Sequence, residues 1–309
     1  MSVVARAGWK GLTGSFDGER TWQTRLGAID LVTLRDRLTI LGLALLAWFA
    51  AFGGSWIAYD SYAYWGVSPH TPYTFDLSPD QYGAFRYSPA SAQLCALFKL
   101  LPWPVFAIGW MAFLVFVFAW MGRRWTLAAL VFAPVAMDLY MGNIEVLLAA
   151  AILCSFRWPG AWSFVLLTKV TPGVGLLWYV VRREWRNLAV ALGATAGVVA
   201  ISFVLAPQPW LDWPRAILAG GGRPAPWGII ARIGAAALLI AWGARTDRPW
   251  TLIVGGTLAM AWLDFKTLSL LVGLVAFLPA LPGDRGSLIE ELRALRSRAM
   301  EPIRVLVRR

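Results

Sequence analysis

The sequence predicts an all-α, polytopic membrane protein with about nine to eleven membrane segments, some of them broken or re-entrant. Three observations lead to this fold class: the composition, several long uncharged runs, and charges that interrupt shorter apolar runs. The 309 residues are 59% hydrophobic and 15% charged, with a mean hydropathy of +0.60, which excludes an ordinary soluble domain. The net charge of +11 then fits basic residues that face anionic lipid, and not a nucleic-acid interface.

Uncharged or nearly uncharged runs mark the predicted spans. They lie at 38–59, 100–122, 187–211, 226–244, 249–263 and 267–281. Basic residues before the first run, and an acidic balance after it, place the amino terminus inside and the first loop outside. We therefore predict a cytoplasmic segment at 1–37, a transmembrane domain at 38–282 with outer loops near 59–88 and 207–226, and a basic cytoplasmic tail at 283–309.

The middle of the chain, from 125 to 181, contains apolar pieces that are too short to cross a membrane alone. Asp138, Glu145, Arg157 and Lys169 interrupt them. Because a charge that faces lipid at membrane depth is costly, these side chains must face protein or a water-filled cavity. Broken or re-entrant helices that frame a site are the expected arrangement.

The stretch "WIAYDSYAYWG", from Trp56 to Gly66, places one carboxylate among aromatic residues where the first apolar run ends. Asp60 is a candidate general base for a sugar hydroxyl, because a carboxylate at a low-dielectric boundary is suited to proton abstraction. Aromatic rings cover the apolar face of a sugar, and the candidates for binding substrate here and in the following "TPY" and "FRYSP" are Tyr62, Tyr64, Tyr73, Arg86 and Tyr87. The alternative is an interfacial aromatic belt with a solvated acid.

Two further polar clusters interrupt the middle helices. In "DLYMGNIE", Asn143 and Glu145 either contact substrate hydroxyls or cap a helix. In "LLTKVTP", Lys169 is a candidate phosphate ligand, and its pairing with Asp138 or Glu145 is the competing explanation.

A last polar cluster, "WLDFKTLS", places Asp264 and Lys266 at a predicted outer turn, where they bind substrate or pair only with each other. No metal or cofactor is predicted, since His70 is the single histidine and Cys95 and Cys154 lie in apolar segments. Carboxylates alone leave a divalent cation possible, although nothing in the sequence indicates one.

Five motifs follow one another in an order that resembles glycosyltransferase family 87. They are "DSY" at 60, "PY" at 72, "FRYSP" at 85, "GNIE" at 142 and "KVTP" at 169, and the resemblance covers residues 38–280. The family belongs to the GT-C superfamily of polytopic transferases.

The resemblance implies a mannosyl- or pentosyltransferase of the cell envelope that takes its sugar from a polyprenyl phosphate, with inversion. Its active site would face the outside of the plasma membrane, and its acceptor would be a hydroxyl on a glycan or lipid-linked molecule. Asp60 matches the acidic residue regarded as catalytic, Arg86 and Lys169 would lie near the phosphate, and Asn143 and Glu145 would contact sugar or acceptor. Two other classes stay open: a transporter or flippase of a lipid-linked sugar or polar solute, and a catalytically inactive homologue.

Overall fold

The computed structural model describes residues 14–17, 21–24, 27–52, 54–75, 77, 81–218 and 226–278. The predicted basic tail at 283–309 lies outside the described residues. Three short strands, β1 (Gly14–Asp17), β2 (Thr21–Thr24) and β3 (Gly27–Asp30), form an antiparallel sheet in the order β1-β2-β3. The regular elements described after this short sheet are all helical, which confirms the predicted all-α class for the membrane domain.

The α-helices follow one another through the remaining described residues. They are α1 (Leu31–Phe52), α2 (Ser61–Gly66), α3 (Pro89–Ala96), α4 (Trp103–Gly122), α5 (Thr126–Ala129), α6 (Ala133–Met141), α7 (Glu145–Cys154), α8 (Trp162–Thr168), α9 (Leu177–Val181), α10 (Trp185–Leu205), α11 (Gln208–Leu218), α12 (Pro226–Arg245) and α13 (Thr251–Leu258). Segments of 3-10 helix lie at Gly54–Trp56, Leu97–Leu100, Arg123–Trp125, Pro159–Ala161, Thr171–Leu176 and Thr267–Phe277.

Helix α1 begins earlier than the end of the predicted cytoplasmic segment at residue 37. Asp30 caps it, accepting hydrogen bonds from the Val32 amide (3.0 Å) and the Thr33 hydroxyl (2.7 Å). The helix ends at Phe52, so the part beyond Arg37 is shorter than the about 20 residues that a span needs.

By length and composition, 3 helical stretches of the described residues are able to cross a membrane: Trp103–Ala129, Trp185–Leu205 and Trp227–Arg245. Helices α6 and α7 are joined by a 107° bend and raise the number to 4 if the pair is one span. The predicted broken helix is therefore confirmed here, whereas the predicted nine to eleven segments are not. Several predicted segments are short helices, among them Pro159–Thr168, Thr171–Val181 and Thr267–Phe277.

Helix α7 lies at the centre of the core. Val146, Leu148 and Ile152 are fully buried, and the helix contacts α4, α8, α13 and the 3-10 segment at 267–277. Its first residue, Glu145, is fully buried, because helices and the 3-10 segment surround α7 on several sides.

The predicted outer loop near 207–226 is largely helical, because α11 occupies most of it. The helix is amphipathic, with Ala216 buried and Leu211 and Leu218 exposed. Pro209 lies in its first turn, where proline is tolerated, and Pro214 lies inside it. Prolines and tryptophans hid this periodicity in the sequence, so the predicted outer loop contains a helix at 208–218 that was not predicted.

Candidate functional site

A cavity of about 300 Å³ lies where α2, α7, α11 and the loops around residues 81–87, 168–171 and 260–267 meet. Most of the predicted site residues line it, although they come from distant parts of the chain. Those that do are Asp60, Tyr64, Arg86, Tyr87, Asn143, Glu145, Lys169, Asp264 and Lys266. Tyr62 and Tyr73 do not line this cavity.

Backbone hydrogen bonds to the end of α6 fix the position of Asp60. The Ala58 amide donates to the Tyr140 carbonyl and the Asp60 amide to the Met141 carbonyl, both at 2.9 Å. The Ser61 hydroxyl donates to the Ala58 carbonyl at 2.7 Å and closes the turn. The carboxylate is therefore carried on a main-chain connection between the first helix and the broken pair α6–α7.

Gly142 ends α6 in the left-handed conformation, with φ of +71°. A Cβ atom there would lie 3.0 Å from both Cβ and Oγ of Ser61, the residue next to Asp60. Trp110 donates from its indole nitrogen to the Gly142 carbonyl at 2.8 Å, which holds the turn from the other side. Glycine is required here both by φ and by the close approach of α2.

We expect Gly142→Ala to lower both stability and activity. A non-glycine residue in this conformation costs about 1–2 kcal/mol, and the added methyl group must displace Ser61. Thermal unfolding and the rate of the reaction measure the two effects. Gly193→Ala in α10 is the control, since nothing lies within 4 Å of the added atom; an unchanged Gly142→Ala protein would contradict the assigned role of this turn.

Asp60 faces a cation across the cavity. Lys266 Nζ lies 3.5 Å from Asp60 Oδ2, and the buried Oδ2 atom has no hydrogen-bond partner. Burial raises the pKa of Asp60, and the positive charge of Lys266 partly offsets this effect. The carboxylate is thus more basic than a solvated aspartate, as a general base should be.

Lys169 forms an ion pair with Glu145, which is fully buried. Pairing with an acid, the competing explanation for Lys169, is therefore what the structure shows, while the Lys169 side chain stays 22% exposed. Glu145 Oε2 is buried without a hydrogen-bond partner on the cavity wall. A ligand hydroxyl would satisfy this oxygen, since buried acceptors are rarely left unpaired.

Tyrosine hydroxyls and an amide line the side of the cavity next to Asp60. Tyr64 donates to Asn143 Oδ1 at 3.2 Å and lies 3.4 Å from the Tyr87 hydroxyl. Burial raises the pKa of both tyrosines, so each stays a protonated donor. Asn143 Oδ1 also accepts from the Ile144 amide (2.7 Å), but Ile144 is the N-cap residue of α7, so Asn143 lines the cavity and does not cap that helix.

The two predicted tyrosines outside the cavity have structural contacts. Tyr73 donates to the Tyr87 carbonyl at 2.9 Å and so supports a cavity residue from behind. Tyr62 stacks on Tyr82, with ring centroids 4.3 Å apart, and meets Trp103 edge-on. Direct contact of Tyr62 or Tyr73 with a ligand in this cavity is therefore not supported.

The predicted alternative that Asp264 and Lys266 pair with each other is wrong. The Asp264 carboxylate accepts from the Thr267 amide at 2.8 Å and begins the 3-10 segment, while Lys266 turns to Asp60. The guanidinium of Arg86 donates to the carbonyls of Thr74 (3.3 Å) and Leu77. Arg86 thereby ties its own loop to the cavity wall.

Sequence reasoning missed several cavity residues, among them Tyr59, Trp213 and Ile217. Trp213 donates from its indole nitrogen to the Arg86 carbonyl at 3.2 Å, which fastens α11 over the site. The helical periodicity of 208–218 was the signal that would have found α11. Among the described residues no group of three or more His, Cys, Asp or Glu side chains is placed to hold a metal ion.

The fold and the site define a helical membrane protein with a charged, tyrosine-lined cavity. Residues 85–281 match the family model of glycosyltransferase family 87, so the chain belongs to this family and is a membrane glycosyltransferase. The match includes "FRYSP", "GNIE" and "KVTP" and begins after Asp60 and Tyr73. Neither the curated proteins nor the solved structures include a match to this chain.

Proposed function

We propose that the protein transfers a sugar, mannose in the first instance, from a polyprenyl phosphate to a hydroxyl of a glycan or lipid-linked acceptor. Asp60 is the general base, and the configuration at the anomeric carbon is inverted. The observation that carries this proposal is the Asp60 carboxylate, whose Oδ2 atom accepts no hydrogen bond and faces Lys266 at 3.5 Å, on the wall of a cavity that also contains Lys169.

In the proposed step the acceptor oxygen forms a bond to the anomeric carbon as the bond from that carbon to the phosphate oxygen breaks. Asp60 takes the acceptor proton, and the phosphate leaves with the bonding electron pair as a polyprenyl phosphate monoester. One base and one stabilised leaving group suffice for such a displacement. Glu145 Oε2 and the Tyr87 hydroxyl are placed on the same wall to orient sugar hydroxyls.

The position of α12 supports an active site on the outer side. Near its beginning, Arg232 donates to the Ala261 carbonyl, and Ala261 lines the cavity. Its last residue, Arg245, lies about 20 Å further along the helix axis at 1.5 Å per residue. In the turn that follows, Asp247 pairs with Arg182 at 3.1 Å. Basic turns favour the cytoplasm, so the cavity at the other end of α12 would face outside.

A lipid donor would explain why α11 lines one side of the cavity with apolar side chains. Trp213 and Ile217 present apolar surface to the cavity, while Leu211 and Leu218 remain exposed on the same helix. An amphipathic helix of this kind lies in the interface plane of a membrane. A prenyl chain in the bilayer would thus place its phosphate and sugar beside the charged cavity.

The test is a transfer assay with the full-length protein in membranes, using radiolabelled polyprenyl-phosphate mannose or a radiolabelled nucleotide mannose as donor. We expect label to reach an acceptor from the lipid donor only, with the opposite anomeric configuration in the product. Membranes without the protein are the control. Transport of the labelled lipid without transfer would contradict the proposal and favour the transporter alternative.

A further inference from the structure

The charges that line the cavity balance. Its described wall contains the acids Asp60, Glu145 and Asp264 and the bases Arg86, Lys169 and Lys266. A donor phosphodiester adds one negative charge to this set, and a buried charge needs a partner. A base that turns to the phosphate loosens its present contact, and the cost of doing so depends on how firmly that base is held.

The three bases differ in how firmly they are held. Arg86 donates to two backbone carbonyls, and Lys169 forms its ion pair with a carboxylate that is fully buried. Lys266 Nζ lies 3.5 Å from Asp60 Oδ2, beyond the 2.7–2.9 Å typical of a charge-assisted hydrogen bond. Lys266 is thus the base of this wall that moves at the lowest cost.

We propose that Lys266 couples donor binding to release of the base. In the free enzyme it neutralises Asp60; when the donor binds, the ammonium group moves to the phosphate and the carboxylate becomes free to take the acceptor proton. This inference rests on the proposed function, because it assigns the leaving-group contact and the order of events to a residue of that site. Lys266 is a positioning residue toward Asp60 and a ligand toward the phosphate.

The movement serves the reaction itself. As the bond to the anomeric carbon breaks, the phosphate changes from a singly charged diester to a monoester with a charge near −2. A cation that has already reached the phosphate stabilises this added charge in the transition state. The same movement leaves Asp60 facing the negative charge of Glu145 and the positive charge of Lys169, with the Tyr64 and Tyr87 hydroxyls beside it.

The pH dependence of the rate distinguishes a Lys266 that moves on donor binding from a Lys266 that stays paired with Asp60. A base must be ionised, so activity falls as the pH falls through the pKa of Asp60. Loss of a positive neighbour and arrival of a negative one both raise that pKa. Because kcat/KM for the donor reports the free enzyme and kcat the complex, the acid limb of kcat should lie about one pH unit or more above that of kcat/KM.

The wild-type comparison needs no variant, and three variants sharpen it. In Lys266→Met the separation of the two limbs should shrink to what the arriving phosphate alone causes, and kcat should fall about 100-fold, as for loss of a donor to a developing oxyanion. Lys266→Arg should restore part of both effects, and Lys99→Met, an exposed lysine outside the cavity, should behave as wild type.

Coincident limbs in the wild type, or an unchanged separation in Lys266→Met, would overturn the inference. Either result leaves the proposed function standing as long as the wild type transfers sugar and Asp60→Asn does not. Absence of transfer by the wild type from the lipid donor would instead reject the proposed function.

Discussion

Replacing Asp60 by asparagine is expected to lower the rate of sugar transfer by a factor of about 100 or more, because the acceptor hydroxyl loses its general base. Asparagine has the same shape as aspartate but no basic oxygen at neutral pH. Initial rates with the lipid donor at saturating acceptor measure the loss.

The protein should stay folded in this variant, because what holds residue 60 is its backbone. The Asp60 amide donates to the Met141 carbonyl, and the side-chain atom Oδ2 loses only its 3.5 Å ion pair with the partly exposed Lys266. Thermal unfolding in the presence and absence of donor should therefore show a folded protein that still binds donor. Asp247→Asn, the same chemical change at a half-exposed position, serves as the control.

Wild-type turnover by Asp60→Asn would remove Asp60 from the catalytic role. If the variant loses both donor binding and turnover, the residue is needed to assemble the cavity. The two results are distinguishable because unfolding is measured on the same preparations.

Lys169→Met is expected to have the largest effect on stability. It leaves Glu145 buried without its counter-ion, beside Asp138, which is also fully buried. Removing one partner of a buried ion pair costs about 3–5 kcal/mol. The midpoint of thermal unfolding in detergent should fall clearly below that of the wild type.

The double variant Glu145→Gln with Lys169→Met should recover most of this loss, since a neutral amide replaces the unpaired carboxylate. Its transfer rate should stay low if Glu145 orients the sugar. Full recovery of activity in the double variant would show that the pair is purely structural. An unchanged unfolding midpoint in Lys169→Met alone would contradict the burial and pairing described for these two residues.

The sequence predicted those parts of the site that depend only on the residues adjacent in the chain. A charge inside an apolar run must face protein, and this argument placed Asp138 and Glu145 correctly at a broken helix and Lys169 in an ion pair inside the protein. Which cation faces which acid depends on tertiary distance. The partner of Asp60 comes from residue 266, and no local pattern links positions so far apart.

The predicted count of membrane segments is not confirmed, for a related reason. Composition measures how apolar a run is, whereas crossing a bilayer also needs one continuous helix. The runs predicted at 249–263 and 267–281 contain α13 and a 3-10 segment, both shorter than a span. Helix α11 was missed because tryptophan, proline and charge at 207–227 are typical of loops when the helical period is ignored.

The connection between Ala58, Asp60 and the end of α6 is made by amide and carbonyl groups alone. Atoms that every amino acid shares make the contacts to Ala58 and Asp60, while the Tyr140 hydroxyl adds a hydrogen bond to the Gly54 carbonyl at 3.1 Å. Among related enzymes the backbone geometry at this junction would then be better conserved than the side chains, except for the glycine at 142. The residue equivalent to Asp60, which precedes the matched region, would then be found in such relatives by superposing structures and not by aligning sequences.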